Sequence, residues 1–322
     1  MGNPNISVLM SMYKGESSVR KMIECILAQT FKNFELILID DGSPDRCGEI
    51  ADEYADTDSR IKVIHKANGG LADARNAGLK IARGEYTIQF DQDDIVEETV
   101  LDEMYAEAKN ANSDMVICDH YSNDKYRQRY VKQEPTALDP GSVLCDIASG
   151  KLCGYCWNKL IRLDCYRRYD IQFPLDIYGC EDQYAMCELL KNDIKISYLP
   201  KAYCHYFYTP DSLSRHYDMG TYYNDLKIKT KFTSLLSGTD AAKYYDGDMY
   251  VLFRAFTFGQ KIYSSKTFEQ LFGNYMDVIK RSDWTVSRKI QYTLSIRGYY
   301  SIVRRCYGYM FYCKQILKKY IC

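Results

Sequence analysis

The amino-acid sequence predicts an α/β fold, with a mostly parallel central sheet, helices on both faces and a helical C-terminal extension. Three observations lead to this prediction. Short apolar runs alternate with segments of helical periodicity, which is typical of parallel strands joined by crossover helices. Polar clusters follow four of the predicted strands, and the carboxyl ends of parallel strands share the sheet edge where ligands bind. From residue 218 the pattern is helical and rich in Tyr, Phe and Lys, so we expect two regions, 1–217 and 218–322.

Five strands and four helices are predicted in the first region. The strands are short, mainly apolar runs, as expected for strands buried on both faces, at 6–12, 34–39, 61–65, 86–90 and 114–119. The helices carry apolar residues at intervals of three and four, at 18–28, 48–54, 71–82 and 99–110. The polar stretch 122–141 is predicted to be an irregular loop over the sheet edge.

The composition limits which classes of protein this chain can belong to. The 322 residues are 46% hydrophobic and 26% charged, as in ordinary globular proteins. The net charge of −1 gives no indication of nucleic-acid binding. Among 13 cysteines, Cys153 and Cys156 have CxxC spacing, but no second pair would complete a zinc site, so we expect free thiols. The N-terminal residues do not resemble a signal peptide and no apolar run is long enough to span a membrane, so we expect a cytoplasmic location.

An acidic cluster follows the fourth predicted strand, in the stretch IQFDQDDIVEE. Asp91, Asp93 and Asp94 would repel one another there, and burying any of them is costly without a positive partner. Hard divalent cations such as Mn²⁺ or Mg²⁺ prefer carboxylate oxygens. The alternative is a solvated acidic turn before the next helix, although a helix N-cap needs only one Asp.

Two more polar clusters are predicted to lie at the same sheet edge. Asp40 and Asp41 end the second strand, where a carboxylate accepts hydrogen bonds from a ligand or forms an Asx turn. Asn68 and Gly70 precede a helix, and backbone N–H groups at a helix start suit anions. Arg75, one turn into that helix, is positioned to reach a phosphate or an aspartate; the alternative is a surface Arg.

Several later residues are candidates for chemistry. Glu181 and Asp182 come before an apolar helix. Either one of them is a general base assisted by its neighbour, or both are carboxylates that the helix dipole favours. The ring of Trp157 suits a sugar surface or the core equally. His205 is a metal ligand or a structural His. Arg215 and His216 would cover a diphosphate from a flexible loop.

Taken together, these motifs resemble the nucleotide-sugar-binding region of family 2 inverting glycosyltransferases of the bacterial capsule and exopolysaccharide type, which have the GT-A fold. The similarity covers about residues 5–215. It rests on ISVLMSMYKGE, LILIDDGSPD, NGGLADARNAGLKIARGEY and FDQDD, followed by WNKL and GCEDQ. Ser11 and Gln92 depart from the family pattern, where proline and serine are more usual.

The resemblance implies a role for each candidate. Asp91-Gln92-Asp93 is the DxD motif, and the metal ligands would be Asp91, Asp93 and Asp94, with His205 as a further candidate. Asp182 would be the catalytic base, assisted by Glu181 and acting through its position and not through a large pKa shift. The residues implied to bind the nucleotide sugar are Met12, Tyr13, Glu16, Asp40, Asp41, Asn68, Gly70, Arg75, Asp91, Gln92, Trp157 and Lys159.

The resemblance also implies the reaction. A hexose or N-acetylhexosamine would be transferred from its UDP-linked donor to a hydroxyl of a glycan. The expected acceptor is lipid-linked, and the expected pathway is cell-surface polysaccharide synthesis. Two alternatives stay open: a non-catalytic nucleotide-sugar-binding or scaffold protein with a decayed site, and a nucleotidyltransferase. Free UDP as the product would indicate sugar transfer, and pyrophosphate would indicate nucleotide transfer.

The C-terminal segment 288–322 is basic and aromatic. It contains about eight Lys or Arg residues and no Asp or Glu. This pattern is typical of a segment that lies on an anionic membrane surface, here the inner face of the cell membrane. The alternative is a helical tail packed on its own domain or on another subunit, and the sequence leaves open whether the chain forms a homo-oligomer.

Overall fold

The computed structural model describes residues 3–123, 127–207, 217–259 and 262–306. The described residues fall into two compact units. The first unit comprises Met1–Pro210 and Leu235–Tyr245, and the second comprises Asp211–Ser234 and Asp246–Cys322. Within this part of the chain, no helix combines the length and the apolarity needed to span a bilayer.

A nine-stranded mixed sheet forms the centre of the first unit. Its strands are β1 (Ile6–Met12), β2 (Phe34–Asp40), β3 (Ile61–His65), β4 (Tyr86–Asp91), β5 (Ile95–Val96), β6 (Met115–Asn123), β7 (Gln128–Val131), β8 (Lys159–Arg162) and β9 (Ile196–Phe207). The spatial order is β3-β2-β1-β4-β8-β6-β9-β5, with β7 paired to β6.

The first four strands are parallel, and their registers bring their carboxyl ends together. Met12 pairs with Asp40, Asp40 pairs with His65, and Ser11 pairs with Asp91. The polar residues that follow β1, β2, β3 and β4 therefore meet at one edge of the sheet. This arrangement confirms the parallel α/β organisation that the sequence predicts.

Helices cover both faces of the parallel strands. The first unit contains α1 (Val19–Leu27), α2 (Cys47–Ala55), α3 (Leu71–Ile81), α4 (Val100–Asn110), α5 (Pro140–Ala148), α6 (Leu163–Arg168) and α7 (Glu181–Leu189). Leu36 and Leu38 of β2 pack in the core with α1 and α2. Ile37 and Ile39 point to the other face, where they pack with α3. Burial on both faces explains why β2 is a continuous apolar run.

The other half of the sheet is antiparallel in part and was harder to predict. β8 runs antiparallel to both β4 and β6, and β9 runs parallel to β6. The prediction of an irregular loop at 122–141 is wrong for β7, which pairs with β6. The side chains of β7 are largely exposed, so the strand lacks the apolar alternation that marks a half-buried strand.

The second unit is helical, as the sequence predicts. Its helices are α8 (Met219–Leu236, whose last two residues belong to the first unit), α9 (Gly247–Phe258), α10 (Ser265–Phe272), α11 (Met276–Arg281) and α12 (Val286–Leu294). Aromatic rings form much of its core. Phe268 stacks on Tyr300 at 4.1 Å, and Phe256 stacks on Tyr292 at 4.2 Å. Such ring pairs account for part of the abundance of tyrosine.

Candidate functional site

Negative charge is concentrated at the carboxyl end of β4. Asp91 is the last residue of β4, Asp93 is exposed in the turn and Asp94 is buried. Burial raises the pKa of Asp94 well above its usual range, and the charges of Asp91 and Asp93 add to the effect. Although part of Asp93 is exposed, desolvation by the surrounding atoms and the charge of Asp91 raise its pKa as well. Among the described residues, no group donates a hydrogen bond to the Asp94 carboxylate, so its charge is uncompensated.

Arg75 connects this acidic turn to a second part of the site. Its Nη2 lies 3.1 Å from Oδ1 of Asp91, and its Nη1 lies 3.1 Å from Oε1 of Glu181. The guanidinium is buried against the ring of Phe173, 5.5 Å away. Burial of a guanidinium is costly unless it is paired. The two carboxylates therefore hold Arg75 between the end of β4 and the start of α7.

Glu181 and Asp182 are the first two residues of α7. Glu181 is buried, and its Oε2 atom has no hydrogen-bond partner among the described residues. Asp182 is half-buried and accepts a 2.7 Å hydrogen bond from the Gln183 N–H. Burial raises the pKa of Asp182 to about 6, against the lowering effect of Arg75. The expectation of no large pKa shift at Asp182 is therefore wrong, because the site is more desolvated than the sequence suggests.

Asp41 is buried and held by the loop that follows β3. Its Oδ1 accepts hydrogen bonds from Lys66 Nζ at 2.5 Å and from the Gly69 N–H at 3.0 Å. Its Oδ2 accepts from the Gly70 N–H at 2.8 Å, and Asn68 Nδ2 donates to its backbone oxygen at 2.9 Å. Gly70 has a φ of 87°, which favours glycine. These hydrogen bonds to Asp41 thus fix the conformation of the loop that precedes α3.

Asp40 is also buried, and each of its two carboxylate oxygens has a separate partner. Its Oδ1 accepts a 2.9 Å hydrogen bond from the Ser43 N–H, which is the Asx turn. Its Oδ2 lies 3.1 Å from Nδ1 of His65. His65 ends β3 and Lys66 follows it, so both belong to a polar cluster that the sequence places at this edge of the sheet. Their contacts with Asp40 and Asp41 are visible only in the folded structure.

The end of β1 and the loop after it take part in the site mainly through hydrogen bonds of their backbone groups. The Met12 side chain is buried in the core, and its carbonyl accepts from the Asp41 N–H at 3.0 Å. The amide of Gln92 forms hydrogen bonds of 3.1 and 2.9 Å with the backbone of Tyr13. The side chains of Met12 and Gln92 thus hold the loop in place, and their contact with the nucleotide sugar stays a prediction. The side chains of Tyr13 and Glu16 are exposed.

Trp157 and Lys159 are buried and stabilise their own loop, and their contact with the nucleotide sugar stays a prediction. Trp157 is 3% exposed and Lys159 is 1% exposed. Lys159 Nζ donates to the carbonyls of Cys153 at 2.9 Å and Tyr155 at 2.6 Å, and to Oδ1 of Asn158 at 2.8 Å. Tyr155, which no sequence pattern singles out, stacks on Trp157 at 5.2 Å and is 42% exposed. Its ring is the aromatic surface that this loop presents.

His205 pairs across the sheet with Ile95, the residue after Asp94. Its Nε2 is 2.8 Å from Oε1 of Glu97, its Nδ1 is 3.1 Å from Nε2 of Gln128, and its ring stacks on Tyr121. Within the described ranges, no three His, Cys, Asp or Glu side chains form a group that would hold a metal ion on its own. His205 lies beside the acidic turn along the sheet, and its role as a metal ligand stays a prediction. Arg215 and His216 lie outside the described residues.

Comparison with known proteins gives consistent results. The model of the family described as Glycosyl transferase family 2 matches residues 7–180. The uncharacterized glycosyltransferase EpsJ of Bacillus subtilis is 34% identical over 220 residues, which are 66% of this chain and 63% of EpsJ. The putative glycosyltransferase EpsH of the same organism is 29% identical over 251 residues, or 76% of this chain and 73% of EpsH. The chain thus spans just under two thirds of the length of EpsJ.

Solved structures share the fold. The structure of S. aureus TarS 1-349 in complex with UDP-GlcNAc has a TM-score of 0.65 and 21% identity, covering 94% of this chain and 91% of that one. The mannosyltransferase PcManGT from Pyrobaculum calidifontis, in complex with GDP-Man and Mn²⁺, has a TM-score of 0.56 and 14% identity, covering 94% and 86%. These likenesses confirm the predicted fold class, an α/β fold of the GT-A type with a helical C-terminal region.

Proposed function

Because the chain belongs to glycosyl transferase family 2, we propose that it transfers a sugar from a nucleoside diphosphate sugar to a hydroxyl of a glycan, with inversion at the anomeric carbon. The proposed donor is a UDP-linked hexose or N-acetylhexosamine. The TarS complex with UDP-GlcNAc supports this choice of nucleotide as far as the shared fold allows. Asp40 and Asp41, at the end of β2, are the proposed contacts for the nucleoside.

The observation that carries the proposal is the position of Arg75 between two groups of carboxylates. A direct displacement needs stabilisation of the leaving diphosphate on one side of the sugar and a base for the acceptor hydroxyl on the other. Asp91 lies 3.1 Å from one guanidinium nitrogen, and Glu181, the neighbour of Asp182, lies 3.1 Å from another. One buried cation thus holds together the residues proposed for both tasks.

The acidic turn fits a divalent cation. Asp94 is buried without a hydrogen-bond donor, and the pKa values of Asp93 and Asp94 are both raised. Such uncompensated charge favours a hard cation. We propose that Asp91, Asp93 and Asp94 hold Mn²⁺ or Mg²⁺, with diphosphate oxygens as the remaining ligands. When bound, the ion would neutralise charge on the leaving diphosphate.

Asp182 is the proposed base. Its raised pKa of about 6 makes its carboxylate a better proton acceptor than an ordinary Asp, while it stays mostly ionised at neutral pH. Arg75 limits that rise in the pKa of Asp182 and forms an ion pair with the neighbouring Glu181. The exposed ring of Tyr155 supplies an apolar face of the kind that binds sugar rings.

The second unit supports a further proposal, that the chain binds the anionic inner face of the cell membrane, where a lipid-linked acceptor is presented. Val286, Ile290 and Leu294 of α12 are 75%, 54% and 42% exposed and lie four residues apart, on one side of the helix. Residues 284–306 contain no Asp or Glu, and Arg288 and Arg297 are exposed. An apolar stripe flanked by cations matches an anionic lipid surface. The remainder of the basic segment, 307–322, lies outside the described residues.

Product analysis tests the reaction. The protein is incubated with a panel of UDP-sugars, Mn²⁺ and candidate glycan acceptors, and we expect free UDP to be released. Release of pyrophosphate would indicate a nucleotidyltransferase. A folded protein whose melting temperature no nucleotide or nucleotide sugar raises would favour the non-catalytic alternative, because a ligand that binds the native state stabilises it.

The Asp93→Ala variant tests the metal. We expect it to lose the Mn²⁺-dependent part of the thermal shift that UDP causes, since Asp93 is exposed beside Asp91 and Asp94. Asp102→Ala is a matched control, because Asp102 is exposed on α4 and outside the acidic turn. Full transfer activity of the wild type in excess EDTA would contradict metal dependence.

A further inference from the structure

Three side chains form a hydrogen-bonded row behind the proposed nucleoside site. His65, at the end of β3, lies between Asp40 of β2 and Asp52 of α2. Its Nδ1 is 3.1 Å from Oδ2 of Asp40, and its Nε2 is 3.0 Å from Oδ1 of Asp52. Asp40 is buried, whereas Asp52 and His65 are about half-exposed. The ring therefore connects a buried carboxylate of the site to solvent.

The fold holds this row in place. Asp40 and His65 are direct partners in the β2–β3 register. The first turn of α2 packs against both, since a Cβ atom added at Gly48 would lie 2.7 Å from Oδ2 of Asp40 and 3.1 Å from the His65 ring. A larger residue at position 48 would displace the side chains of Asp40 and His65. The geometry of the row is thus fixed by β2, β3 and α2 together.

The charge of the His65 imidazole determines how many hydrogen bonds it donates to Asp40 and Asp52. The titratable groups that act on His65 are Asp52 from α2 and Asp40 from β2, and both favour the charged ring. Their hydrogen bonds raise the pKa of His65 above its ordinary value of 6.5. A charged imidazole donates from both nitrogens, while a neutral imidazole has one N–H. A neutral His65 therefore cannot donate to Asp40 and Asp52 at the same time.

We infer that His65 is a positioning residue that orients the Asp40 carboxylate for the nucleoside, and that Asp52 keeps His65 charged. The inference rests on the proposed function, in which Asp40 contacts the nucleoside. The Ser43 N–H already binds Oδ1 of Asp40, so His65 sets the direction of the second oxygen. Nucleotide affinity should fall as the pH rises through the pKa of His65, because the neutral ring has one N–H, for which Asp40 and Asp52 then compete.

Titration calorimetry of the full chain with UDP and Mn²⁺, from pH about 5.5 to about 8.5, tests this inference. UDP itself gains charge near pH 6, so each variant is compared with the wild type at the same pH. We expect His65→Gln to weaken binding about three- to tenfold at the acidic end, as for the loss of one hydrogen bond. The ratio should decrease toward the alkaline end, where the neutral wild-type ring has one N–H for two carboxylates.

Asp52→Asn gives a readout that a purely structural role would not change. It removes the main group that raises the pKa of His65, so the fall in UDP affinity should begin at a lower pH than in the wild type. Asp56→Asn is the matched control, because Asp56 is exposed at the end of the same helix and does not contact the row. Its profile should match the wild type.

The outcomes separate the inference from the proposed function. If the wild type binds UDP and His65→Gln has the same affinity at every pH, the inference is wrong and the proposed function stands. A constant loss of affinity across the pH range, or identical profiles for Asp52→Asn and Asp56→Asn, would also overturn it. If the folded wild type binds no UDP at any pH, the proposed nucleotide site fails and the inference fails with it.

Discussion

Asp182 is the residue on which the proposed chemistry depends most directly. We expect Asp182→Asn to lower kcat by about 10²–10⁴-fold, the usual contribution of a general base. UDP affinity should change little, because the proposed nucleoside contacts lie at the end of β2. Initial rates and calorimetry with UDP measure the two quantities. Turnover near that of the wild type would remove Asp182 as the base.

The same residue predicts the pH dependence of the wild type. A base acts in its ionised form, and burial raises the pKa of Asp182 to about 6. The rate of transfer should therefore be nearly constant above pH 7 and fall as the pH drops through about 6. A rate that stays constant to the ordinary Asp range, near 4, would contradict the raised pKa.

Asp94 provides a prediction about stability. Its folded-state pKa is raised, so the ionised carboxylate destabilises the metal-free protein above that pKa, and the penalty disappears below the ordinary Asp value. Asp94→Asn keeps the shape and removes the charge. Without metal at pH 7.5 it should raise Tm by about 2–4 °C, the shift for about 1 kcal/mol in a domain of this size.

Differential scanning calorimetry in EDTA measures the Asp94→Asn effect. The gain should shrink as the pH is lowered toward about 4, where the wild-type carboxylate is also neutral. Asp102→Asn is the control for loss of one acidic residue at an exposed position. An unchanged or lower Tm for Asp94→Asn would show that the Asp94 charge is compensated in the metal-free protein.

At the scale of elements, the loop 153–158 depends on one buried cation. Lys159→Met keeps most of the side-chain volume but leaves three hydrogen-bond acceptors without their donor. We expect the free energy of unfolding to fall by about 2–4 kcal/mol, since buried unsatisfied groups are costly. Urea unfolding measures this. Lys191→Met, at an exposed lysine, should stay within about 0.5 kcal/mol of the wild type; equal effects would contradict the structural role.

The elements also show what a sequence reveals and what it conceals. β1 and β3 have the predicted bounds, because each parallel strand is a short run that ends in polar residues. β7 and β8 have only four residues each and were missed. In the site, the acidic residues could be named individually. The contact of Arg75 with Glu181 could not, because 106 positions separate them and only the folded sheet edge brings them together.

For the whole molecule, the exposed stripe on α12 predicts membrane binding. The wild type should co-float with vesicles of phosphatidylcholine and phosphatidylglycerol, and less with phosphatidylcholine alone or at high salt. Ile290→Gln should lower the partition coefficient by about tenfold, as expected for one buried Ile. Leu138→Gln alters an exposed apolar residue of the first unit and should have no effect. Equal flotation of wild type and Ile290→Gln would contradict the proposal.

The shared position of Arg75 has a consequence for the order of events. One guanidinium donates hydrogen bonds to both Asp91 and Glu181. A ligand charge that binds near Asp91 would therefore change the strength of the interaction between Arg75 and Glu181. Free-energy coupling of this kind is reciprocal: if the donor changes the affinity for the acceptor, the acceptor changes the affinity for the donor by the same factor. Under the proposed function, we expect the affinities for donor and acceptor to be linked through Arg75, so that neither is a property of its own subsite alone.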